Sequence, residues 1–264
     1  MKGGFMSTVQ HTHPSIAGLP DSLVVQDIIR ASGLKLVILP PSVQALKKNA
    51  GVWVHESSLM EIRRFRGSMC LSNGLVPPEA VDATGCHFLA CDSVNHHLMM
   101  VQSNGRLAAC LRVRMHPVGT TASGLRMFES IRRFPPSSHG SSVINDLILQ
   151  ARQQQLGVAE LGGWVMSPER RDCKGAALLP IIAWALVQQL GGALMLEHAD
   201  ASGETPAILR GLGQPLSYLG QRIAPVPNTH YGRPMEVLGA FSNQPPDPLQ
   251  RILDSLTELI SSAT

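Results

Sequence analysis

Residues Gly157 to Asp200 read GVAELGGWVMSPERRDCKGAALLPIIAWALVQQLGGALMLEHAD, and the rest of the chain is organised around them. Val158, Leu161, Trp164 and Val165 make a β-rich run with Gly162–Gly163 in its middle, and Ser167–Pro168 stop it. A basic loop from Glu169 to Lys174 ends in Gly175, Ala176 and Ala177. The apolar segment Ala177 to Leu190 is long enough for about four helical turns. Gly191–Gly192 cap that segment, and Ala193 to Glu197 reads as a second buried strand. The prediction is strand, loop, helix, strand. Backbone N–H groups at a helix start are unpaired, and an anion there gains about 0.3–1 kcal/mol from the helix dipole. Arg170, Arg171 and Lys174 add cationic charge at that junction. Phosphate chemistry suits it, and so does an ordinary solvated turn.

Working outward, Val52-Trp53-Val54 reads as a short strand. Ser57 or Ser58 then caps a helix, with Glu61 in capping-box position to Ser58. Leu59, Ile62, Phe65 and Met69 form its buried stripe, and Arg63 and Arg64 belong to a solvated face. His87 to Ala90 and His97 to Gln102 are strand-like. Ser103-Asn104-Gly105 turns the chain into a paired strand, Leu107 to Met115, in which Leu107, Ala109, Leu111, Val113 and Met115 share a face. A helix follows Ser141–Ser142 and runs through Gln155. Beyond Asp200, Thr205–Pro206 begin a short helix, and Leu216 to Ile223 and Met235 to Phe241 read as strands. At the front, His11 and His13 fall in a polar leader, Asp21 to Ala31 is a short helix and Leu36 to Leu39 a strand. The expected division is an N-terminal extension over 1–50, a central domain over 51–242, and a linker with an amphipathic helix over 243–264.

Composition narrows the functional classes. The 264 residues are 44% hydrophobic, enough for a substantial core, but aromatics are 4%, so base-stacking surfaces are not expected. A net charge of +3 is too mild for a nucleic-acid binder. The five cysteines (70, 86, 91, 110 and 173) form no CxxC pair and have no metal spacing, as expected of reduced thiols in cytosol. His96 and His97 lack a third ligand at suitable spacing, so no metal site is expected. Nothing reads as a signal peptide, and no run of ~18 apolar residues would span a bilayer. The expectation is a soluble cytoplasmic protein.

The pattern Val165-x-x-Pro168-x-Arg170-x-x-Cys173-x-Gly175-x-x-Leu178-Leu179 resembles the acyl-CoA-binding motif of the GNAT acyltransferase superfamily, with Cys173 where the family's first glycine belongs. The resemblance implies an α/β, GNAT-like fold: a central mixed, mostly antiparallel, twisted sheet flanked by helices. Within the superfamily the chain is most similar to acyl-homoserine-lactone synthases and N-acyl amino acid synthases. Arg66 in Glu61-Ile-Arg-Arg-Phe-Arg66, Asp92 ahead of His97-Leu-Met-Met-Val, Arg112 in Leu111-Arg112-Val113, and Glu160 carry that likeness. Gly67 departs from it where an aromatic belongs, Gly162–Gly163 stand where lactone synthases have Ser-Arg, and Leu209 replaces the Tyr acid of many family members.

What the resemblance implies is an N-acyltransferase moving a medium or long acyl chain from a thioester to the amine of an amino acid or similar small acceptor. Glu160 is then the expected base. Gly163, Trp164, Val165, Arg170, Arg171, Cys173, Lys174, Gly175 and Ala176 are expected to bind the pantetheine and phosphate, with Gly162–Gly163 either a bulge for the pantetheine arm or a plain structural one. Arg66, Asp92 and Arg112 are expected to hold the acceptor. No permanent cofactor is implied. Acyl-CoA or an acylated carrier protein is the co-substrate, and the basic loop would steer an acidic acyl carrier protein as partner. Nucleic acid and membrane insertion are not implied. Direct transfer ranks ahead of an acyl intermediate on Cys173. An acetyl-CoA-dependent acetyltransferase and a non-catalytic acyl- or CoA-binding module remain as competing readings.

Overall fold

The alternating segment around Leu111 becomes the centre of a sheet. The computed structural model describes residues 25–47, 52–134, 139–170, 178–214, 216–218, 221–228 and 232–263. Its strands are β1 (Leu34–Leu39), β2 (His96–Gln102), β3 (Leu107–His116), β4 (Gly157–Met166), β5 (Ala193–Asp200), β6 (Ser217–Tyr218), β7 (Gln221–Arg222), β8 (Val226–Asn228) and β9 (Arg233–Phe241). Seven of them form one sheet in the order β1-β2-β3-β4-β5-β9-β8, while β6 and β7 pair separately. Every neighbour pair in the large sheet is antiparallel except β4–β5. This is the mixed, mostly antiparallel sheet that the resemblance implies. The edge strand β1 comes from the stretch read as an N-terminal extension, and all six of its residues pair with β2.

Helices cover both faces. On one side α1 (Val25–Ala31), α6 (Leu179–Gln189), α7 (Thr205–Gly211) and α8 (Asp247–Ala263) pack on Leu36, Leu98, Leu111, Ala159 and Met195. Every residue of α6 from Leu179 to Val187 is buried, because α8 lays Leu249, Leu253, Leu256 and Ile260 over its outer surface. The glycine pair ends α6 as expected: Gly192 N–H donates to Val187 O at 2.9 Å and Gly191 N–H to Gln188 O at 3.1 Å. Both glycines have positive φ (106° and 79°), which residues with a Cβ rarely adopt. On the opposite face lie α3 (Val52–Ser72), α4 (Phe128–Ile131) and α5 (Gly140–Gln153); α2 (Ser42–Lys47) links β1 to α3. Among the described residues, no helix is long and apolar enough to cross a membrane.

Four local expectations change. Val52-Trp53-Val54 is the first turn of the 21-residue α3 rather than a strand, so Ser57 and Ser58 lie inside the helix and cap nothing. The β preference of those residues costs a few tenths of a kcal/mol each in a helix, which tertiary packing overrides. His87 to Ala90 is loop, and the stretch read as one strand from Leu216 to Ile223 holds two short strands, β6 and β7, that pair with each other. In β3 a register shift opposite Met100 and Val101 inserts Ala108, so Leu107 turns to the α3 face, away from Ala109, Leu111 and Val113. The Leu23 and Val24 portion of the first predicted helix, and His11 and His13, lie outside the described residues.

Gly67 is a packing requirement of α3. A Cβ there would lie 2.3 Å from Gly85 O and 3.1 Å from His87 N, both backbone atoms. We expect Gly67→Ala to destabilise by about 1–3 kcal/mol, read as a lower urea midpoint. An unchanged midpoint would show that the 85–87 segment yields freely.

Candidate active site

The sheet opens where β4 leaves β5. Their parallel pairing runs from Gly157↔Ala193 to Leu161↔Glu197 and stops, while β5 stays paired with β9 as far as Asp200↔Met235. The cause is written in β4. Cys110 of β3 faces Val165 and Arg112 faces Gly162, so two β4 residues, Gly163 and Trp164, stand against one of β3. Gly163 has φ +62°. This bulge turns β4 away from β5, and the divergence makes a cleft of about 350 Å³. Gly162 to Met166 form one wall and Glu197 to Asp200 the other; residues at the start of α7, the end of α3 and Arg233 complete it.

Gly163, Trp164 and Val165, expected from sequence to contact a thioester, all line this cleft. Arg170 sits at the turn after β4 and donates from Nη2 to Gln102 Oε1 at 3.1 Å. Arg171, Cys173, Lys174, Gly175 and Ala176 lie outside the described residues.

The expected acceptor residues gather beside the bulge on the α3 face. Arg66, from α3, donates to both oxygens of Asp92 at 3.0 and 2.8 Å, and to His87 O. Both side chains are buried. Arg63 adds a third contact to Asp92 at 3.1 Å and covers Phe88 with its guanidinium at 4.5 Å, so it is not on a solvated face. Burial pushes the Asp92 carboxyl up, but the Arg66 pair, Leu89 N–H and Arg63 outweigh it and hold it below the usual range. Arg112 reaches across the glycines: a Cβ on Gly162 would lie 3.0 Å from its Nη2, and one on Gly163 3.5 Å from its Nε and 3.7 Å from Arg66 Cδ. The glycine pair therefore makes room for two arginines. Arg112 Nη1 is 2.8 Å from Cys91 Sγ, which Arg126 and Asn95 also approach at 3.4 Å. Burial raises the Cys91 thiol, but Arg112, Asn95 and Arg126 together hold it below its ordinary value.

Glu160 lies one alternate position before Gly162. Its Oε2 is 2.7 Å from His116 Nε2, its Oε1 accepts from Met127 N–H at 2.9 Å, and Arg126 N–H also donates to it. Burial pushes this carboxyl up, but these donors more than offset it and keep it ionised. Such a carboxylate fits an electrostatic and positioning role better than that of a base, since three donors already bind its oxygens and its proton affinity is lowered.

Three further groups belong to the site. Glu197 and His198 of β5, and the indole of Trp164, line the cleft. Glu197 Oε1, His198 Nε2 and Trp164 Nε1 are buried with no hydrogen-bond partner among the described residues. Burial pushes the Glu197 carboxyl up to about 8. Burial likewise brings His198 down to about 4, with Glu160 opposing and Arg112 and Arg126 reinforcing the shift. At pH 7 both are neutral. The signal available in the sequence was a Glu-His pair inside the apolar run Ala193 to Asp200.

The Glu197 shift has a consequence for stability. Between an unfolded pKa of about 4.3 and the folded value of about 8, the folded chain keeps a proton that the unfolded chain releases. Stability from this group is complete below the lower value and is lost as pH rises through the upper one. We expect the melting temperature of Glu197→Gln to gain steadily on the parent between about pH 4 and pH 8 and to level off above. Parallel curves would show that Glu197 ionises normally.

No protein-family model matches the sequence, and no curated protein matches it. Solved structures do. The CoA-dependent acyl-homoserine lactone synthase MesI is 13% identical, with TM-score 0.51 over 84% of this chain and 94% of that one. BjaI, a CoA-dependent acyl-homoserine lactone synthase solved with SAM and isopentyl-CoA, is 14% identical, with TM-score 0.48 over 86% and 90%. FeeM, an N-acyl amino acid synthase from uncultured soil microbes, is 14% identical, with TM-score 0.43 over 70% and 84%. At this identity the likeness to MesI establishes the fold: a GNAT-like sheet with flanking helices.

Proposed function

We propose that this GNAT-fold chain is an N-acyltransferase that moves an acyl group from a thioester to the amine of an amino acid or similar small acceptor. The observation that carries the reading is the split between β4 and β5 at the Gly163 bulge. Past Leu161, β4 has no β5 partner, so an amide-bearing pantetheine arm has open strand edge to pair with and an enclosed cleft to lie in. Acyl-CoA is the natural donor by likeness to MesI, a CoA-dependent synthase; an acylated carrier protein offers the same arm.

The acceptor side is the α3 face. Arg66 and Asp92 brace each other, and Arg63 locks the pair, so their role is to fix the floor on which Arg112 rests. Arg112 binds the acceptor carboxylate, for which a planar guanidinium is suited. Glu160 supplies a fixed negative charge that draws the ammonium form of the acceptor towards the cleft. The ammonium gives up one proton to water, the neutral amine attacks the thioester carbonyl, the C–N bond forms and the C–S bond breaks, and a second nitrogen proton ends on the departing sulfur as thiol. With no Tyr at Leu209, the leaving thiolate (ordinary pKa ~8.5) needs little assistance.

Thiol release is the test. The purified chain is mixed with acyl-CoAs of two to sixteen carbons or acylated carrier protein, with an amino-acid panel or matched amines lacking the carboxylate, and the products are weighed by mass spectrometry. The reading predicts amide products that need a carboxylate-bearing acceptor. Products from acetyl-CoA alone would favour a small-molecule acetyltransferase, and no amide with any pairing would overturn catalysis.

A further inference from the structure

We propose that Glu197 is the proton carrier of the transfer, a carboxyl at the apex of the cleft that takes a proton from the attacking amine and delivers it to the departing sulfur. The proposal rests on the reading of the cleft as an acyl-thioester site. Position is the first argument. Leu161↔Glu197 is the last register pair before β4 and β5 part, so Glu197 stands where the two walls meet. Its strand neighbours Met195 and Ala199 pack on the α6–α7 side, the side that Trp164 also joins, whereas His198 points to the α3 face.

Unmet hydrogen-bonding capacity is the second argument. A buried polar atom without a partner is costly and is retained where something else supplies the partner. Here three atoms without a partner among the described residues, Glu197 Oε1, Trp164 Nε1 and His198 Nε2, belong to residues of a single cleft and lie on both sides of its apex. A thioester carbonyl, an amide of the pantetheine arm and an amine would between them satisfy an indole N–H, a carboxyl and an imidazole.

The alternatives within reach are poorer. Glu160 is held ionised by His116 and by the Arg126 and Met127 N–H groups. His198, brought down to about 4 by burial, is too weak a base for an aliphatic amine. Glu197, raised by burial to about 8, matches it. The titratable and charged groups around Glu197 are His198 beside it, Asp200 further along the same strand, Arg233, Glu204 at the start of α7, and Cys70 of α3. One step further along the same face, Glu236 of β9 is bound by Arg210 and Arg222.

The step balances within the site. The neutral amine nitrogen attacks the thioester carbon, and its N–H proton passes to the Glu197 carboxylate as the C–N bond forms. The C–S bond breaks with its electron pair on sulfur, and the proton on Glu197 moves to that sulfur. The products are amide and thiol, and the carboxylate is regenerated.

The test compares the parent chain with Glu197→Gln, which keeps the shape of the protonated carboxyl and so preserves the fold; equal melting near pH 4, where the carboxyl is protonated in both the folded and the unfolded chain, checks this. The acceptor is one whose amine ionises well below pH 7, so that a limb near 8 is not its own. Two readouts are taken: thiol-release kcat against pH, and the 13C shift of δ-labelled glutamate against pH. We expect a parent kcat that rises to a plateau above about pH 8, a glutamate titrating near 8, and loss of both in Glu197→Gln, with kcat down roughly 100-fold or more. A variant that keeps the limb and a rate within about threefold would overturn the proton-carrier role while leaving acyl transfer standing. A parent that titrates near 8 yet releases no thiol from any thioester would overturn the thioester reading, and this proposal with it.

Discussion

Arg66→Met is expected to lower stability by about 3–5 kcal/mol, the largest single-site loss anticipated away from the apolar core. Arg66 and Asp92 are 2% and 1% exposed. Removing the guanidinium deletes two contacts to Asp92 and the one to His87 O, and leaves a buried carboxylate with Arg63 and Leu89 N–H as its remaining donors. The loss comes from the stranded charge more than from the pair's net worth. The double replacement Arg66→Met with Asp92→Leu should therefore recover most of it, because apolar groups of similar volume replace buried ion pairs at little cost. Urea unfolding of the single and double variants checks this. A single variant within about 1 kcal/mol of the parent would mean that water reaches Asp92.

The second large effect concerns binding. Arg112→Leu should raise KM for a carboxylate-bearing acceptor by about 10–150-fold, the equivalent of about 1.5–3 kcal/mol for a charge-assisted contact. Acyl-thioester binding should be unchanged, because Arg112 lies beside Gly162 on the α3 face and is not among the cleft's lining residues. Equal losses for acceptors with and without a carboxylate would reassign Arg112 to support of the bulge. The local balance is already visible in the contacts: the side chain spans the strand surface left bare by two glycines and ends at Cys91 Sγ.

How much of this was readable from residues alone depends on range. Short-range chemistry was: the Gly191–Gly192 cap, the Ser103-Asn104-Gly105 turn and the apolar helix after the basic loop follow from neighbours in sequence, and the glycine pair marked a bulge that falls one residue on, at Gly163 and Trp164. The likeness carried by Arg66, Asp92, Arg112 and Glu160 also pointed to residues that meet around one bulge. Their partners were not readable. Arg66 finds Asp92 at a separation of 26 residues, and Glu160 finds His116 at 44. Which lone pairs those bonds consume decides whether Glu160 can act as a base. Val52-Trp53-Val54 misled because intrinsic preference is weak beside the packing of a 21-residue helix on the sheet. Glu197 was passed over for a related reason. A carboxyl inside an apolar strand is an anomaly that sequence records, but only the point at which β4 parts from β5 leaves it in a cleft without a partner among the described residues.

The central claim is that the β4–β5 cleft holds an acyl thioester, and ligand-dependent thermal unfolding tests it most directly because it needs neither the acceptor nor catalysis. Free CoA, acetyl-CoA, medium- and long-chain acyl-CoAs and acylated carrier protein are each added in excess. A ligand at 100 times its Kd stabilises by about 2.7 kcal/mol, a shift of roughly 5–11 °C for a chain of this size. The account predicts a shift with acylated ligands that grows with chain length and exceeds that of free CoA. No shift with any of them, carrier protein included, would contradict it.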